Sequence, residues 1–429
     1  MTLDLLRSRD EVGFTFGWFG GNRSYNLHVP TCLAINLLVK VRKIKMIPLS
    51  SPDITEREKV AVMEVLDSKH LCLGPKLKEF EEKIAAFAGT KHAIACNSGT
   101  SGLHMIVAAL GIKDGDEVIT TPFSFIASSN CILFERAKPV FVDIDEATYN
   151  MDVSQIEARI TSRTKAILPV HIFGQPVNMD EIRRLAEKHG LFIIEDSCEA
   201  IGAQWNGEMA GTMSDAGVFA FYPNKQMTTG EGGVVVTNSD EIAEICYSLR
   251  NQGRGIDKQW LNHVRLGFNY RMSDISAALG IAQLERIDDI LARRQKVAEM
   301  YLEKFRDFRG VILPQIHEKV TMSWFVFVVR FEEDIERNSV MEILLERGIG
   351  CRPYFTEIHL QPFYVEQFGY KIGDFPVTDR VAQGTLALPF FNEITEEQVD
   401  RVVYEVKRAV DLSMLEPKDR LRTLMREVG

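Results

Sequence analysis

Residues 219–225 read FAFYPNK, and residues 226–236 continue as QMTTGEGGVVV. The first run is apolar, as in a buried strand, and it ends in a polar turn that carries a single lysine, Lys225. The glycine-rich turn that follows leads directly into a second strand, residues 234–236. Since a desolvated lysine can lose its proton and attack a carbonyl carbon, the stretch predicts a strand end that presents a nucleophilic amine.

Strand-like apolar runs alternate with amphipathic stretches on both sides of Lys225. The predicted strands are residues 92–96, 117–121, 138–143, 166–173, 191–195, 217–222 and 233–237. The amphipathic stretches between them are residues 103–110, 125–134, 153–160 and 179–189. Near-continuous apolar strands separated by helices predict an α/β domain, with a parallel-rich sheet that is covered on both faces. Ligands of such sheets bind where strands end and helices begin.

The chain length of 429 residues favours two domains. A long helical stretch, residues 273–308, is expected to lead into the second domain. That domain is predicted to contain a strand at residues 322–331, a helix at 340–347, the segment 385–389 and a final helix at 396–410. We therefore predict a large α/β domain over residues 46–290, a smaller C-terminal α+β domain over 291–413 and a charged tail over 414–429.

The first 45 residues differ in composition from the rest, with seven Lys and Arg against three acidic residues. We expect this segment to be an N-terminal extension, either a translated leader or a disordered region, with the folded part beginning near Met46. Mass spectrometry of the natively expressed protein tests this expectation, and a mature N-terminus at Met1 would contradict it.

Composition limits the classes of partner. A formal net charge of −10 argues against nucleic acid and against a membrane surface, because both attract positively charged proteins. With 45% hydrophobic and 26% charged residues, the chain is typical of a globular protein with a large core. The seven cysteines show no CxxC pair and no metal-ligand spacing, so we expect reduced thiols, a cytoplasmic protein and no metal site.

Two further features have the chemistry to act with Lys225. Asp196 follows the predicted strand 191–195, and the turn at residues 97–102, NSGTSG, opens a predicted helix. A helix start built from small residues can bind a phosphate, and a strand-end carboxylate can pair with a protonated pyridine nitrogen. An amine, a carboxylate and an anion site together are what pyridoxal phosphate requires. Taken singly, the turn also fits a plain helix cap, and Asp196 also fits a carboxylate that bonds to its own turn.

Residues 47–412 resemble the DegT/StrS family of pyridoxal-phosphate sugar aminotransferases, which implies fold type I, the aspartate-aminotransferase-like fold. The resemblance is carried by motifs at residues 97–100 (NSGT), 121–125 (TPFSF), 169–175 (PVHIFGQ), 195–197 (EDS), 224–225 (NK), 229–233 (TGEGG) and 267–272 (GFNYRM).

The resemblance implies a role for each residue that matches a motif. Lys225 would be the lysine that forms a Schiff base with pyridoxal 5'-phosphate, and Asp196 would be the partner of the pyridine nitrogen. Phe125 would stack on the cofactor ring. Glu199 stands where many members carry Gln or His near the ring oxygen.

The phosphate and the second subunit are implied in the same way. Ser98, Gly99 and Thr100 would hold the phosphate. Asn269 would reach the phosphate of the neighbouring subunit's cofactor, so a homodimer with shared sites is expected. Many members place a serine five residues before the lysine as a phosphate ligand, but this chain has Ala220 there. Its phosphate must therefore rely on other donors or bind less tightly.

Several basic residues are candidates for contact with substrate. The resemblance places the loop with Arg254, Lys258, His263 and Arg265 near the neighbouring subunit's site, where it could meet a diphosphate; a solvated face is the alternative. Arg352 and His359 match a pattern near the substrate in the smaller domain. His171, in the motif at residues 169–175, is a further candidate.

Glu199 combined with the TTGEGG and GFNYRM motifs looks most like GDP-perosamine synthase-type members of the family. Those enzymes transfer an amino group from glutamate to C4 of a GDP-linked 4-keto-6-deoxy sugar. The nucleotide base, the sugar and the choice between C3 and C4 stay open. Two alternatives share the scaffold: a sugar dehydratase, in which the lysine is replaced, and a non-catalytic regulator. The presence of Lys225, Asp196 and Asn269 argues against both.

Overall fold

The computed structural model describes residues 3–7, 11–16, 26–30, 45–255 and 262–415. The strands are β1 (Leu3–Arg7), β2 (Glu11–Phe16), β3 (Asn26–Pro30), β4 (His92–Cys96), β5 (Glu117–Thr120), β6 (Lys138–Phe141), β7 (Thr164–Ile167), β8 (Phe192–Asp196), β9 (Gln204–Trp205), β10 (Glu208–Met209), β11 (Ala216–Ala220), β12 (Gly233–Thr237), β13 (Val311–Ile312), β14 (Val320–Thr321), β15 (Phe327–Phe331) and β16 (Thr385–Leu388). The α-helices are α1 (Glu56–Ser68), α2 (Pro75–Ala88), α3 (Gly99–Ala109), α4 (Ala127–Phe134), α5 (Met179–His189), α6 (Asp240–Arg250), α7 (Asp274–Leu284), α8 (Ile287–Phe305), α9 (Arg337–Glu346), α10 (Pro362–Phe368), α11 (Pro376–Gly384) and α12 (Glu396–Ser413).

A seven-stranded sheet in the order β4-β12-β11-β8-β7-β5-β6 forms the centre of the fold. Strand β12 runs antiparallel to both of its neighbours, and the other adjacent pairs are parallel. Buried apolar clusters cover both faces of this sheet, as the continuous apolar strands require. The predicted α/β architecture is confirmed.

The topology brings the candidate residues to one edge of the sheet. Strands β4, β8 and β11 all point the same way, so their carboxyl ends lie at the same edge. Strand β8 ends at Asp196, β11 ends just before the turn with Lys225, and helix α3 begins directly after β4. This is the position where ligands of open α/β sheets bind.

Three local expectations are corrected by the structure. The stretch 273–308 is two helices, α7 and α8, because the backbone leaves helical geometry at Arg286, whose side chain bonds instead to Asp53 and Glu58. Residues 153–160 form two short 3-10 turns rather than one helix. The strand predicted to reach Phe173 ends at Ile167, and Phe173 itself has a φ of 56°, which no strand residue adopts.

A second core lies beside helix α8. It is built from α8, α9, α12 and the antiparallel sheet β13-β15-β16. Ile47 belongs to this core and forms a β-bridge with Ile349. The segment around residue 47 therefore packs against C-terminal elements. The domain boundaries at 46, 290 and 413 stay a prediction.

The ends of the chain are described only in part. Strands β1, β2 and β3 pair antiparallel in a sheet of their own. The remaining residues of the 1–44 segment and residues 416–429 lie outside the described residues, so the expectations of an N-terminal extension and a charged tail stay predictions. Within the described ranges, no helix combines the length and apolar character needed to cross a bilayer.

Candidate active site

A cavity of about 480 Å³ opens at the carboxyl edge of the central sheet. Seven of the residues predicted for the cofactor line it: Ser98, Gly99, Thr100, Phe125, Asp196, Glu199 and Lys225. They come from separate stretches of sequence, and the fold gathers them around one space.

Lys225 extends into this cavity from the turn after β11. Its backbone N–H donates to the carbonyl oxygen of Tyr222 at 2.9 Å, which closes the turn. The Nζ atom lies 3.4 Å from Oε1 of Glu199 and 3.8 Å from the ring centroid of Phe325. The Lys225 side chain is 13% exposed, so its amine lies in a partly desolvated setting with one carboxylate and one aromatic face beside it.

Glu199 is buried, and its carboxylate is held from two directions. Oε1 faces the Lys225 amine, and Oε2 accepts a hydrogen bond of 3.0 Å from the backbone N–H of Phe173. Burial raises the pKa of Glu199, while the Lys225 ammonium acts against that rise. The cavity therefore contains a buried carboxylate directly beside an amine.

Asp196, at the end of β8, is 5% exposed and has a fixed orientation. Its Oδ2 accepts a hydrogen bond of 2.6 Å from the Ser128 hydroxyl, and its Oδ1 accepts one of 3.1 Å from the Cys198 backbone N–H. These donors hold the carboxylate at the cavity wall, where it can accept a further bond from a protonated ring nitrogen.

The start of helix α3 forms another wall of the cavity. The Ser98 hydroxyl caps the helix by accepting from the Ser101 N–H at 3.1 Å. A Cβ atom on Gly99 would lie 2.7 Å from both Ala220 Cβ and Cys198 Sγ, so a glycine is required for this close approach. The first N–H groups of a helix have no intrahelical acceptor, and together with the helix dipole they favour a bound phosphate.

Phe125 lies just before helix α4, which begins at Ala127 rather than at Phe125. Its side chain is 61% exposed although it belongs to the cavity lining, so it is not a core residue. An exposed ring at a cavity wall is available to stack on a planar ligand.

The residues around the cavity fit pyridoxal phosphate. They supply an amine, a fixed carboxylate, an open aromatic face and a glycine-lined helix start at one space. The missing Cβ at Gly99 lets the start of helix α3 pack closely against Ala220 and Cys198 at this space, and the free N–H groups of that helix start favour an anion.

His171 does not reach the cavity. Its ring is fully buried, and Nδ1 accepts from the Val177 N–H at 3.2 Å while Nε2 donates to Glu195 at 2.8 Å. Glu195 also accepts from the N–H groups of Gly211 and Met213. His171 is held against Glu195 and is not part of the cavity lining, and its contact with substrate stays a prediction.

His359 is likewise fully buried, although it was predicted near the substrate. Its Nε2 lies 3.1 Å from Asp379 Oδ1, and its ring packs against Phe375 and Tyr370. Burial lowers the pKa of His359. Arg352 is exposed and pairs through its backbone with Ala387, away from the cavity lining.

Arg254 and Arg265 also lie outside the lining of this cavity. Arg254 lines a separate cavity of about 400 Å³ next to His92 and Asp240, and Arg265 is half-buried. Lys258 lies outside the described residues. Asn269 is exposed and absent from the lining, so the expectation that it serves a neighbouring subunit stays a prediction.

Several lining residues were missed from the sequence. Ser128 lies in the first turn of helix α4, three residues after Phe125, a spacing that could have identified it. Phe325, Tyr354 and Phe355 come from the C-terminal part of the chain, and no local pattern marks them. Tyr354 accepts a hydrogen bond of 3.3 Å from Asn224, and burial raises its pKa to about 12.

Comparison with known proteins gives consistent results. Residues 52–407 match the family described as DegT/DnrJ/EryC1/StrS aminotransferases. The chain is 39% identical over 361 residues to GDP-perosamine synthase from Caulobacter vibrioides, covering 83% of this chain and 96% of that protein. It is 38% identical over 377 residues to the spore coat polysaccharide biosynthesis protein SpsC from Bacillus subtilis, covering 85% and 97%. The solved structure of DesV from S. venezuelae matches with a TM-score of 0.80 at 34% identity, covering 85% of this chain and 99% of that chain.

Proposed function

We propose that this chain, which belongs to the DegT/DnrJ/EryC1/StrS aminotransferase family, moves an amino group from L-glutamate to a keto sugar nucleotide. As a member of this family, it is a pyridoxal-phosphate-dependent aminotransferase of fold type I. The proposed acceptor is an NDP-linked 4-keto-6-deoxyhexose of the perosamine type, used for a surface polysaccharide or another glycan.

The observation that carries this proposal is the position of the Lys225 amine. It lies between the Glu199 carboxylate and the Phe325 ring, in the same cavity as Asp196. When bound, pyridoxal phosphate supplies an electron sink for the carbon that bears the amino group. Lys225 then has the reach to hold the cofactor and to move a proton at the reacting carbon, as a general base and acid.

The other cavity residues orient the reaction. Asp196 would pair with a protonated ring nitrogen, and Ser128 fixes the direction of that carboxylate. Phe125 would cover one face of the ring, and the apolar rings of Phe325 and Phe355, which line the same cavity, would limit the access of water. The start of helix α3 would bind the phosphate in the absence of a serine at position 220.

The proposal of a sugar nucleotide is supported by the named relatives. GDP-perosamine synthase and the polysaccharide protein SpsC each align over at least four fifths of this chain. The donor L-glutamate and the position of amination are proposed from the resemblance of the Glu199 region and the TTGEGG motif to perosamine-type enzymes.

We also propose a homodimer in which each subunit contributes to its partner's site. Asn269 is exposed and lies beside Asn97, whose side chain donates to its carbonyl oxygen at 3.4 Å. This contact puts Asn269 next to the start of helix α3, on the exposed side, where a second copy could receive its side chain. Arg254 and Arg265 are proposed for the same neighbouring site.

A two-step optical experiment tests the proposed reaction. L-glutamate added to the purified, cofactor-loaded enzyme should bleach its visible absorbance and yield 2-oxoglutarate. A keto sugar nucleotide should then restore the absorbance, and a panel with different bases and sugars, read by mass spectrometry, identifies the acceptor. Bleaching by glutamate without recovery on any keto sugar nucleotide would contradict the proposed acceptor; no bleaching would contradict the donor.

A further inference from the structure

We infer that Gln226 is a positioning residue, which holds the Glu199 carboxylate and the Phe325 ring against the Lys225 amine. The inference rests on the role of Lys225 in transamination and extends the proposed function to the surroundings of that amine.

The Gln226 side chain is buried, at 3% exposure, directly after Lys225 in the chain. Its Nε2 donates to the backbone carbonyl oxygen of Glu199 at 2.6 Å and to the Ser323 hydroxyl at 2.9 Å. Because a peptide carbonyl can only accept, this contact fixes which end of the amide is the nitrogen. The Oε1 atom has no donor among the residues that the structure describes, so the amide is held through its nitrogen.

The two acceptors belong to the two groups that surround the amine. Glu199 carries the carboxylate that lies 3.4 Å from the Lys225 Nζ. Ser323 lies in the segment that leads to Phe325, whose ring centroid is 3.8 Å from the same atom. One amide therefore joins the turn that carries the amine, the loop after β8 and the segment before β15.

The backbone of Phe173 also connects Glu199 with Phe325. Its N–H donates to Glu199 Oε2 at 3.0 Å, and its carbonyl oxygen accepts from the Phe325 N–H at 3.0 Å. Glu199 and Phe325 are thus connected twice, once through the Phe173 backbone and once through the Gln226 side chain. The second connection can be removed by substitution without altering either the backbone or the Glu199 carboxylate.

The contacts of Gln226 determine where the carboxylate lies relative to the amine. Removal of the Nε2 donor would leave the carbonyl of Glu199 and the Ser323 hydroxyl without this partner, in a buried setting where an unpaired polar group is costly. The loop that carries Glu199 would then shift, and the amine would lose its fixed counter-charge.

The test compares Gln226→Met with Gln175→Met. Methionine keeps the length of glutamine and removes the donor in both variants. Gln175 is a matched control because it is 4% exposed and its Nε2 donates to the Gln315 carbonyl oxygen at 3.1 Å, but it does not line the cavity. Ser323→Ala is a second variant, which removes one acceptor at the other end of the same contact.

The measurement is the rate at which cofactor-free protein captures added pyridoxal phosphate on Lys225, at one fixed pH. Capture joins the amine nitrogen to the aldehyde carbon and releases one water. Borohydride then fixes the product, and peptide mass spectrometry reports it. We expect Gln226→Met to slow capture on the order of tenfold, because the amine and the groups beside it are no longer held in position. Ser323→Ala should slow capture by less, and Gln175→Met should match the wild-type protein.

Two results would overturn the inference: a wild-type capture rate in Gln226→Met, or equal changes of the capture rate in both glutamine variants. If Gln226→Met does not fold, the same criteria apply to Ser323→Ala. Capture needs neither glutamate nor a sugar. A wild-type enzyme that captures the cofactor but does not react with glutamate would therefore count against the proposed function alone.

Discussion

At the scale of single residues, the chemistry depends on what surrounds Lys225. A lysine at a strand end is ordinarily a solvated surface group. Here the amine has a carboxylate at 3.4 Å, an aromatic ring at 3.8 Å and little exposure to water. These contacts, rather than the lysine alone, make it suited to hold a cofactor and move protons.

Replacement of Lys225 by alanine should remove turnover and leave the fold intact. Loss of a positioned general base and acid typically slows a reaction by about 10²–10⁴-fold, and this variant also loses its covalent hold on the cofactor. Steady-state kinetics measure the loss, and circular dichroism checks the fold. Lys165→Ala, which removes an exposed lysine on β7, is the matched control and should keep wild-type turnover. Turnover in Lys225→Ala near the wild-type value would remove the assigned role.

Ala220 marks the residue at which this chain departs from the family pattern. Its Cβ faces Gly99 at the start of α3 and lines the cavity. Ala220→Ser adds a hydroxyl beside the proposed phosphate position, and one added hydrogen bond of about 0.5–1.5 kcal/mol should tighten cofactor binding by roughly 2–12-fold. Titration of cofactor-free protein with pyridoxal phosphate measures the change in Kd. A weaker Kd in Ala220→Ser would place the phosphate elsewhere or show that the hydroxyl does not fit.

At the scale of elements, helix α1 is tied to the junction of α7 and α8 through Glu58. Its carboxylate completes a capping box with Thr55 and accepts from Gln283 at 2.8 Å and from Arg286 at 2.9 Å. Gln283 in turn accepts from the Thr228 N–H at 3.3 Å. The turn that carries Lys225 is therefore connected through Gln283 to helices α7 and α1.

Glu58 should make the stability of the protein depend on pH. Burial opposes its ionisation, but hydrogen bonds from Thr55 and Gln283 outweigh burial and lower the pKa of Glu58 from 4.5 to about 2. A lowered pKa means that the unfolded chain binds the proton more readily, so this contribution is present above pH 4.5 and is lost as the pH falls toward 2. Thermal unfolding of Glu58→Gln should show a lower Tm than the wild type at pH 7, and a difference that narrows in acid.

Glu64→Gln, on the exposed side of α1, is the control for that experiment. The Tm of Glu64→Gln should equal that of the wild-type protein at every pH. A Tm difference between Glu58→Gln and the wild type that stays constant from neutral to acid pH would contradict the assigned ionisation of Glu58.

The elements also show what could be predicted from the sequence. Strands such as β4 and β12 were predicted residue for residue, because continuous apolar runs bounded by turns are local signals. The break between α7 and α8 was not predicted, because it depends on contacts of Arg286 with Asp53 and Glu58. Those two residues lie more than two hundred positions earlier in the chain.

The candidate site likewise contains residues that could be predicted from the sequence and residues that could not. Lys225, Asp196 and Gly99 could be predicted because each stands at a strand end or a helix start. Phe325 could not, because its place at the cavity results from packing between distant parts of the chain. The histidines His171 and His359 have the chemistry of functional residues, and only the structure shows that both are buried.

At the scale of the whole molecule, the proposed dimer predicts that two defective chains can complement each other. In a mixed dimer of Lys225→Ala and Asn269→Ala chains, one site would combine an intact Lys225 with the partner's intact Asn269. The other site would lack both. We expect the mixed dimer, isolated by two different affinity tags, to have about half the wild-type activity and more than either homodimer. Activity no higher than the mean of the two homodimers would show that Asn269 serves its own subunit.

The central claim is that the Lys225 site transfers an amino group from glutamate to a keto sugar nucleotide. The most direct measurement follows isotopically labelled nitrogen from L-glutamate into the sugar nucleotide by mass spectrometry, with the wild-type protein and Lys225→Ala side by side. We predict one labelled nitrogen per amino sugar with the wild-type protein and none with Lys225→Ala. An amino sugar that carries no label, or equal labelling with both proteins, would contradict the account.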